Sequence, residues 1–276
     1  MKIKSSYHVH SNFCDGKNSL EEMAAAAVFK NFTHLGFSSH APVPQNRDAA
    51  MDINSFESYK KQVLQLKEKY KNKLNIFLAL EYDCYEDIGM VQEVAIGELD
   101  YYIMSIHSLG VGKDKRAIDY TDDEFAELIK LGGDDIKDIV KRYYNLLLAQ
   151  SLKNKPDIIG HIDIIKKNNV NSKYFNEKNN WYLDIADNYL KEIKKIGCVV
   201  EVNTGGVARY GVHCLYPSDE ILNMIKDYEI PLMLNSDAHT KENLDFYYDE
   251  ALKKIKNIGI NKLYYLTYDG WDDYKI

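Results

Sequence analysis

The segment YHVHSNFCDG, residues 7–16, sets His8 and His10 two apart and places Asp15 five residues after the second. Imidazole and carboxylate groups are ligands for divalent cations, and histidines at i and i+2 share one face of a strand. Groups of the same two types recur along the chain: His40 in SSHAP, Glu81 in ALEYD, His107 in SIHSL, His161 in GHIDI, Asp237 and His239 in NSDAHT. Glu81 and Asp237 are the most telling, because a carboxylate inside an apolar run must be paired or must bind a cation. Together His8, His10, Asp15, His40, Glu81, His107, His161, Asp237 and His239 offer nitrogen and oxygen donors and no thiolate. A catalytic zinc takes about three protein ligands and keeps one position open, so a set of this size serves roughly two or three ions with shared carboxylates. The donor mix suits Mn, Fe or Zn. Closely spaced ions generate a hydroxide at neutral pH and clamp the oxygens of a phosphoryl group, so the expected reaction is hydrolysis of a phosphate ester.

A scaffold must gather these groups. Short apolar runs predict strands at 3–9, 35–39, 75–83, 101–109, 157–165, 198–204 and 230–239. Amphipathic runs predict helices at 19–31, 54–72, 87–99, 136–154, 181–197, 218–229 and 242–259. Ser19 with Glu22 forms a capping box, and Gly197 is placed to cap a helix C-terminus. Residues 110–135 read as an acidic excursion with a helix near 121–131, residues 166–180 as a loop, and residues 262–268 as a last short strand or extended tail. Alternating strands and helices predict a parallel sheet covered by helices, as a (β/α) barrel in one domain over residues 1–276; an open doubly wound sheet is the alternative. Each strand then carries its polar residues at its C-terminal end, including Glu201 and Asn203 on the sixth, and that is the rim on which barrel enzymes build their sites. His34 falls at the opposite rim and reads as structural, while His213 lies in a loop beside the site.

Composition narrows the class. Hydrophobic residues at 45% permit a packed core, and a net charge of −7 argues against a nucleic-acid partner. The cysteines at 14, 84, 198 and 214 form no CxxC pair, which suits free thiols in a reducing cytoplasm. No apolar signal core and no run of about 18 apolar residues is present, so no membrane partner is expected. The chain lacks GxxxxGK[ST], GxGxxG, GxSxG and HExxH motifs. The expected partner is a small-molecule phosphate ester; nothing in the sequence sets an oligomeric state. An arginine suits bidentate capture of phosphate oxygens. Arg209, in the long loop after the sixth strand, is the first candidate, Arg47 the second, and His213 an assisting group. Residues 84–90 and the excursion 110–135 supply carboxylates such as Glu86 and Asp114, between which the sequence does not choose.

The order HVH 8–10, CDG 14–16, SSHAPVP 38–44, LEYD 80–83, SIHSLG 105–110, GHID 160–163, EVNTGG 201–206 and NSDAHT 235–240 resembles the PHP (polymerase and histidinol phosphatase) superfamily over the full length. HAPVP, GHIDIIKK and residues 201–217 resemble its stand-alone histidinol-phosphate phosphatase branch. The resemblance implies a distorted (β/α)7 barrel with a trinuclear metal centre at the C-terminal rim of the strands. His8, His10, Glu81 and Asp237 would hold one ion, Glu81 would bridge to a second on His107 and His161, and Asp15, His40 and His239 would hold the third. Glu81, Asp237 and His239 would be catalytic, with a hydroxide between metals attacking phosphorus. The implied reaction is hydrolysis of L-histidinol phosphate in histidine biosynthesis; the alternative is a relative acting on nucleotides, phosphodiesters or phosphoproteins. Ser39 departs from the pattern where an aspartate is expected.

Overall fold

In the computed structural model, which describes residues 3–43 and 49–276, seven parallel strands stand side by side in chain order. They are β1 (Ser5–Ser6), β2 (His34–Phe37), β3 (Asn75–Tyr85), β4 (Tyr101–Ser105), β5 (Ile158–Ile159), β6 (Val199–Asn203) and β7 (Leu232–Asn235). The helices between them are α1 (Leu20–Phe29), α2 (Phe56–Tyr70), α3 (Asp122–Leu131), α4 (Ile136–Asn154), α5 (Asn180–Ile196), α6 (Gly205–Tyr210), α7 (Asp219–Asp227) and α8 (Tyr248–Ile258). The capping box at Ser19 and Glu22 forms, and Gly197 ends α5 with φ of 80°. Among the described residues no helix is long and apolar enough to cross a membrane.

Strand alternation sorts the side chains. On β3, β4, β6 and β7 the residues Phe77, Ala79, Tyr101, Ile103, Val199 and Met233 belong to one apolar cluster inside the ring. Leu78, Leu80, Tyr82, Tyr102, Met104, Val200, Val202, Leu232 and Leu234 join the larger core between ring and helices. Two residues further along each inward row stand Glu81, Ser105, Glu201 and Asn235, all buried. The barrel interior is thus apolar below and polar at the C-terminal rim.

The ring is distorted at its seam. β1 and β7 meet through one parallel bridge, Val9 with Ala238, and a set of side-chain links. The Tyr7 amide donates to Asn235 Oδ1 at 2.8 Å, the Ser236 amide to Ser6 Oγ at 3.0 Å, and the His10 amide to the Ala238 carbonyl at 3.0 Å.

Three expectations need correction. The helix predicted over 87–99 is instead a hairpin return: β3 runs on to Tyr85, Gly89 turns with φ of 71°, and Met90 pairs back with Cys84. Gly89 and Gly97 cost that segment its helical stability. The fifth strand is only two residues long, and residues 164–166 form a 3₁₀ turn. The tail is a full hairpin, β8 (Lys262–Thr267) with β9 (Gly270–Lys275), turned at Tyr268-Asp269. It closes the N-terminal end of the barrel: Leu266 joins the interior cluster, and Tyr7 Oη donates to the Leu266 carbonyl at 2.6 Å and accepts from its amide at 2.9 Å.

Candidate metal centre

The inward polar row and the loops just beyond it bring all of His8, His10, Asp15, His40, Glu81, His107, His161, Asp237 and His239 into one cluster at the C-terminal rim. Glu81 is its centre. Its Oε2 lies 3.1 Å from His8 Nε2, 3.1 Å from His40 Nδ1 and 3.5 Å from His10 Nε2. Its Oε1 lies 3.0 Å from His161 Nε2 and 3.5 Å from His107 Nε2. Asp237 Oδ1 faces His10 Nε2 at 3.2 Å and His8 Nε2 at 3.7 Å, and Asp15 Oδ2 faces His239 Nε2 at 3.1 Å. His161 and Asp237 have φ of 34° and 44°, in the left-handed region that non-glycine residues rarely enter. Each stands just past a strand, where the turn aims its side chain back over the barrel. Gly205 packs so closely on Asp237 that a Cβ there would lie 2.7 Å from the aspartate Cβ.

The donors fit divalent cations. His8 Nε2, His10 Nε2 and Glu81 Oε2 are buried and have no hydrogen-bond partner, a costly state for polar atoms unless a cation receives their lone pairs. His107 Nε2 and His161 Nε2 point at each other across 3.2 Å, with Glu81 Oε1 beside both. The sets His8–His10–Glu81, Glu81–His107–His161 and His10–Asp15–His40–His239 each converge tightly enough to hold an ion. Histidine and carboxylate donors without thiolate are the chemistry of Mn, Fe and Zn sites.

Burial opposes charge at each of these groups, and the neighbours decide the outcome. At Glu81 the imidazoles of His8, His40 and His107 outweigh burial and hold the carboxyl well below its usual range. At Asp237, Arg209 and His8 do the same. Burial also opposes the charge on His8, yet Glu201, Glu81 and Asp237 lift its pKa well above the usual value; Asp83 and Glu81 push His107 up to about 10. Burial prevails at His40 and takes it down to about 4.

Two carboxylates behind the donors escaped the sequence reading as site residues. Both oxygens of Glu201 lie 3.1 Å from His8 Nδ1, and Glu201 also accepts from Asn203 Nδ2 at 2.7 Å and Asn235 Nδ2 at 2.8 Å. Asp83 grips His107 Nδ1 in the same way. A carboxylate on one ring nitrogen fixes the tautomer and leaves Nε2 as the donor. The signal was present: Asp83 follows Glu81 by two on the same strand face, and Glu201 sits in the apolar run CVVEVN. Replacement Glu201→Gln is expected to weaken divalent-cation affinity by about 10- to 100-fold, measured by competition with a chromophoric chelator, with little change in the circular dichroism spectrum.

A cleft of about 850 Å³ opens over the cluster. Arg209 of α6 lines it and donates to Asp237 Oδ2 at 2.8 Å, with its other terminal nitrogen 2.7 Å from His239 Nδ1. His213 does not line it: it is exposed on a short 3₁₀ turn, because Gly211 ends α6 and turns the chain away from the rim. Glu86 is held by Arg142 and the Gly110 amide, and Asp114 stands exposed off the cleft wall. Arg47 lies outside the described residues. Lys167, read from sequence as part of a loop, is buried on the cleft wall with its ammonium 4.0 Å from the Tyr210 ring centre.

The PHP domain model matches residues 6–205, ending before the strand that leads to Asp237 and His239. Histidinol-phosphatase of Bacillus subtilis is 29% identical over 265 residues, covering 90% of this chain and 97% of the relative. A putative histidinol phosphatase from Listeria monocytogenes shares the fold with a TM-score of 0.76 at 21% identity, over 90% of this chain and 99% of its own. Histidinol phosphate phosphatase of Lactococcus lactis, solved with zinc, L-histidinol and phosphate, has a TM-score of 0.67 at 17% identity, over 98% of each chain.

Proposed function

The chain belongs to the PHP domain family, and from that membership we propose that it is a divalent-cation-dependent phosphatase that hydrolyses L-histidinol phosphate to L-histidinol and inorganic phosphate. The observation that carries this reading is the convergence of nine donors, three of whose atoms are buried without a hydrogen-bond partner, at the floor of a cleft sized for a small ester. The near full-length relatives named as histidinol phosphatases support the choice of substrate.

His8, His10, Glu81 and Asp237 would hold one cation, Glu81 with His107 and His161 a second, and Asp15, His40 and His239 a third. When bound, the cations supply a nucleophile from water at neutral pH and positive charge for the phosphoryl oxygens. Arg209 presents two N–H donors to those oxygens, and Lys167 adds a buried positive charge to the same wall. Asp237 Oδ2 faces Arg209 and the open cleft. As the new phosphorus–oxygen bond forms the ester bond breaks, and the proton of the attacking water ends on the hydroxyl of the leaving histidinol.

The test is phosphate release by purified protein supplied with Mn²⁺, from histidinol phosphate beside a nucleotide panel, an aryl phosphate and a short oligonucleotide. Strong preference for histidinol phosphate, abolished by a chelator, is the expected result. Chelator-sensitive turnover without that preference sinks the histidinol assignment and moves the chain to another phosphoesterase of its family.

A further inference from the structure

Above the metal cluster, residues 118–121 form one side of the cleft and are clamped from behind. Lys167 Nζ donates to the carbonyls of Asp119 (2.5 Å) and Tyr120 (2.6 Å), and Asn168 Nδ2 to those of Ile118 (3.0 Å) and Thr121 (3.3 Å). The Ile118 amide donates to the His107 carbonyl at 2.9 Å. Four successive carbonyls are therefore committed, and the side chains of Asp119 and Tyr120 are left on the cleft wall. Five other charged groups of the cleft wall are already engaged. Lys115 pairs with Asp87, Arg116 with Glu127, Arg209 with Asp237, Asp83 with His107, and Glu124 accepts from the Ala117 amide. Among the described residues, no hydrogen bond or ion pair engages the Asp119 carboxylate, which is half-buried and close enough to act electrostatically on both His107 and Lys167.

A half-buried carboxylate on a rigid wall, beside a cluster that takes the phosphate, calls for a cationic partner on the substrate. Histidinol phosphate carries a primary ammonium on the carbon next to the ester-bearing CH₂, and Asp119 lines the same cleft as the cluster. Resting on the substrate proposed above, we infer that Asp119 receives this ammonium and is the residue that selects an amine-bearing phosphate ester over a neutral one. Neither Glu86 nor Asp114 can take that part, the one being committed to Arg142 and the other lying off the wall.

The experiment compares kcat/KM for histidinol phosphate, for its deamino analogue 3-(imidazol-4-yl)propyl phosphate, and for an aryl phosphate, in wild type and in Asp119→Asn. Wild type should prefer the amine-bearing ester. In D119N that preference should collapse by roughly 10- to 100-fold, mostly through KM, while aryl phosphate turnover stays near wild type and reports an intact metal site. A preference for the amine that survives D119N overturns the proposal alone. Equal losses on all three esters also overturn it, by assigning Asp119 to the cluster. Failure of wild type to turn over histidinol phosphate at all, with the aryl ester hydrolysed, overturns the substrate reading together with this inference.

Discussion

Glu81→Gln should lose both metal and turnover. The carboxylate touches five imidazoles, is 1% exposed, and is the one carboxylate common to two of the three donor sets. An amide keeps the shape but offers one neutral acceptor and an N–H₂ that points a donor at imidazole lone pairs. With several kcal/mol of transition-state stabilisation resting on the cations, kcat/KM on any accepted phosphate ester should fall by about 10³-fold or more. Metal analysis of the purified variant by mass spectrometry should show a matching fall in bound ions per chain. Retention of wild-type metal content with full activity would remove Glu81 from the centre of the site.

Arg209→Ala should divide differently. The guanidinium lies at the cleft edge, and its contacts with Asp237 and His239 place it beside the cations rather than among their donors. Removing a preorganised donor to a phosphoryl group costs roughly 10²- to 10³-fold in turnover. We expect that loss with metal content near wild type, and inorganic phosphate should inhibit R209A more weakly. Arg209→Lys should recover part of the loss, because a single ammonium keeps the charge without the bidentate fork. If R209A sheds metal instead, the arginine serves to hold Asp237 in place and the phosphate contact must be sought at Lys167.

The donors were legible because chemistry left little room for them elsewhere. Histidines and carboxylates at the ends of apolar runs do not sort to one strand end by chance, and the structure gathers every one of them. What the sequence hid was support and detail. Glu201 and Asp83 hold histidines by the second ring nitrogen, and counting donors does not find such supporting groups, although alternation on β3 and the cost of burying Glu201 pointed there. His161 and Asp237 read as strand residues, yet their left-handed backbone lies beyond the strand, and only tertiary packing sustains it. The hairpin at the foot of the barrel was half-seen, since GWDDYK has no apolar alternation to mark its second strand. Lys167 is buried by carbonyls from a segment some 47 residues away, a partnership that no local pattern records.

The seam between β1 and β7 sets a schedule for the newly made protein. His239 and Asp15 face each other although 224 residues separate them in the chain. During synthesis His8 and His10 leave the ribosome long before Asp237 and His239 exist, and the cluster is complete only once β7 has been translated and stacked. A half-made chain therefore carries only part of the donor set, without Asp237 and His239. The full donor set is thus a property of the finished barrel alone.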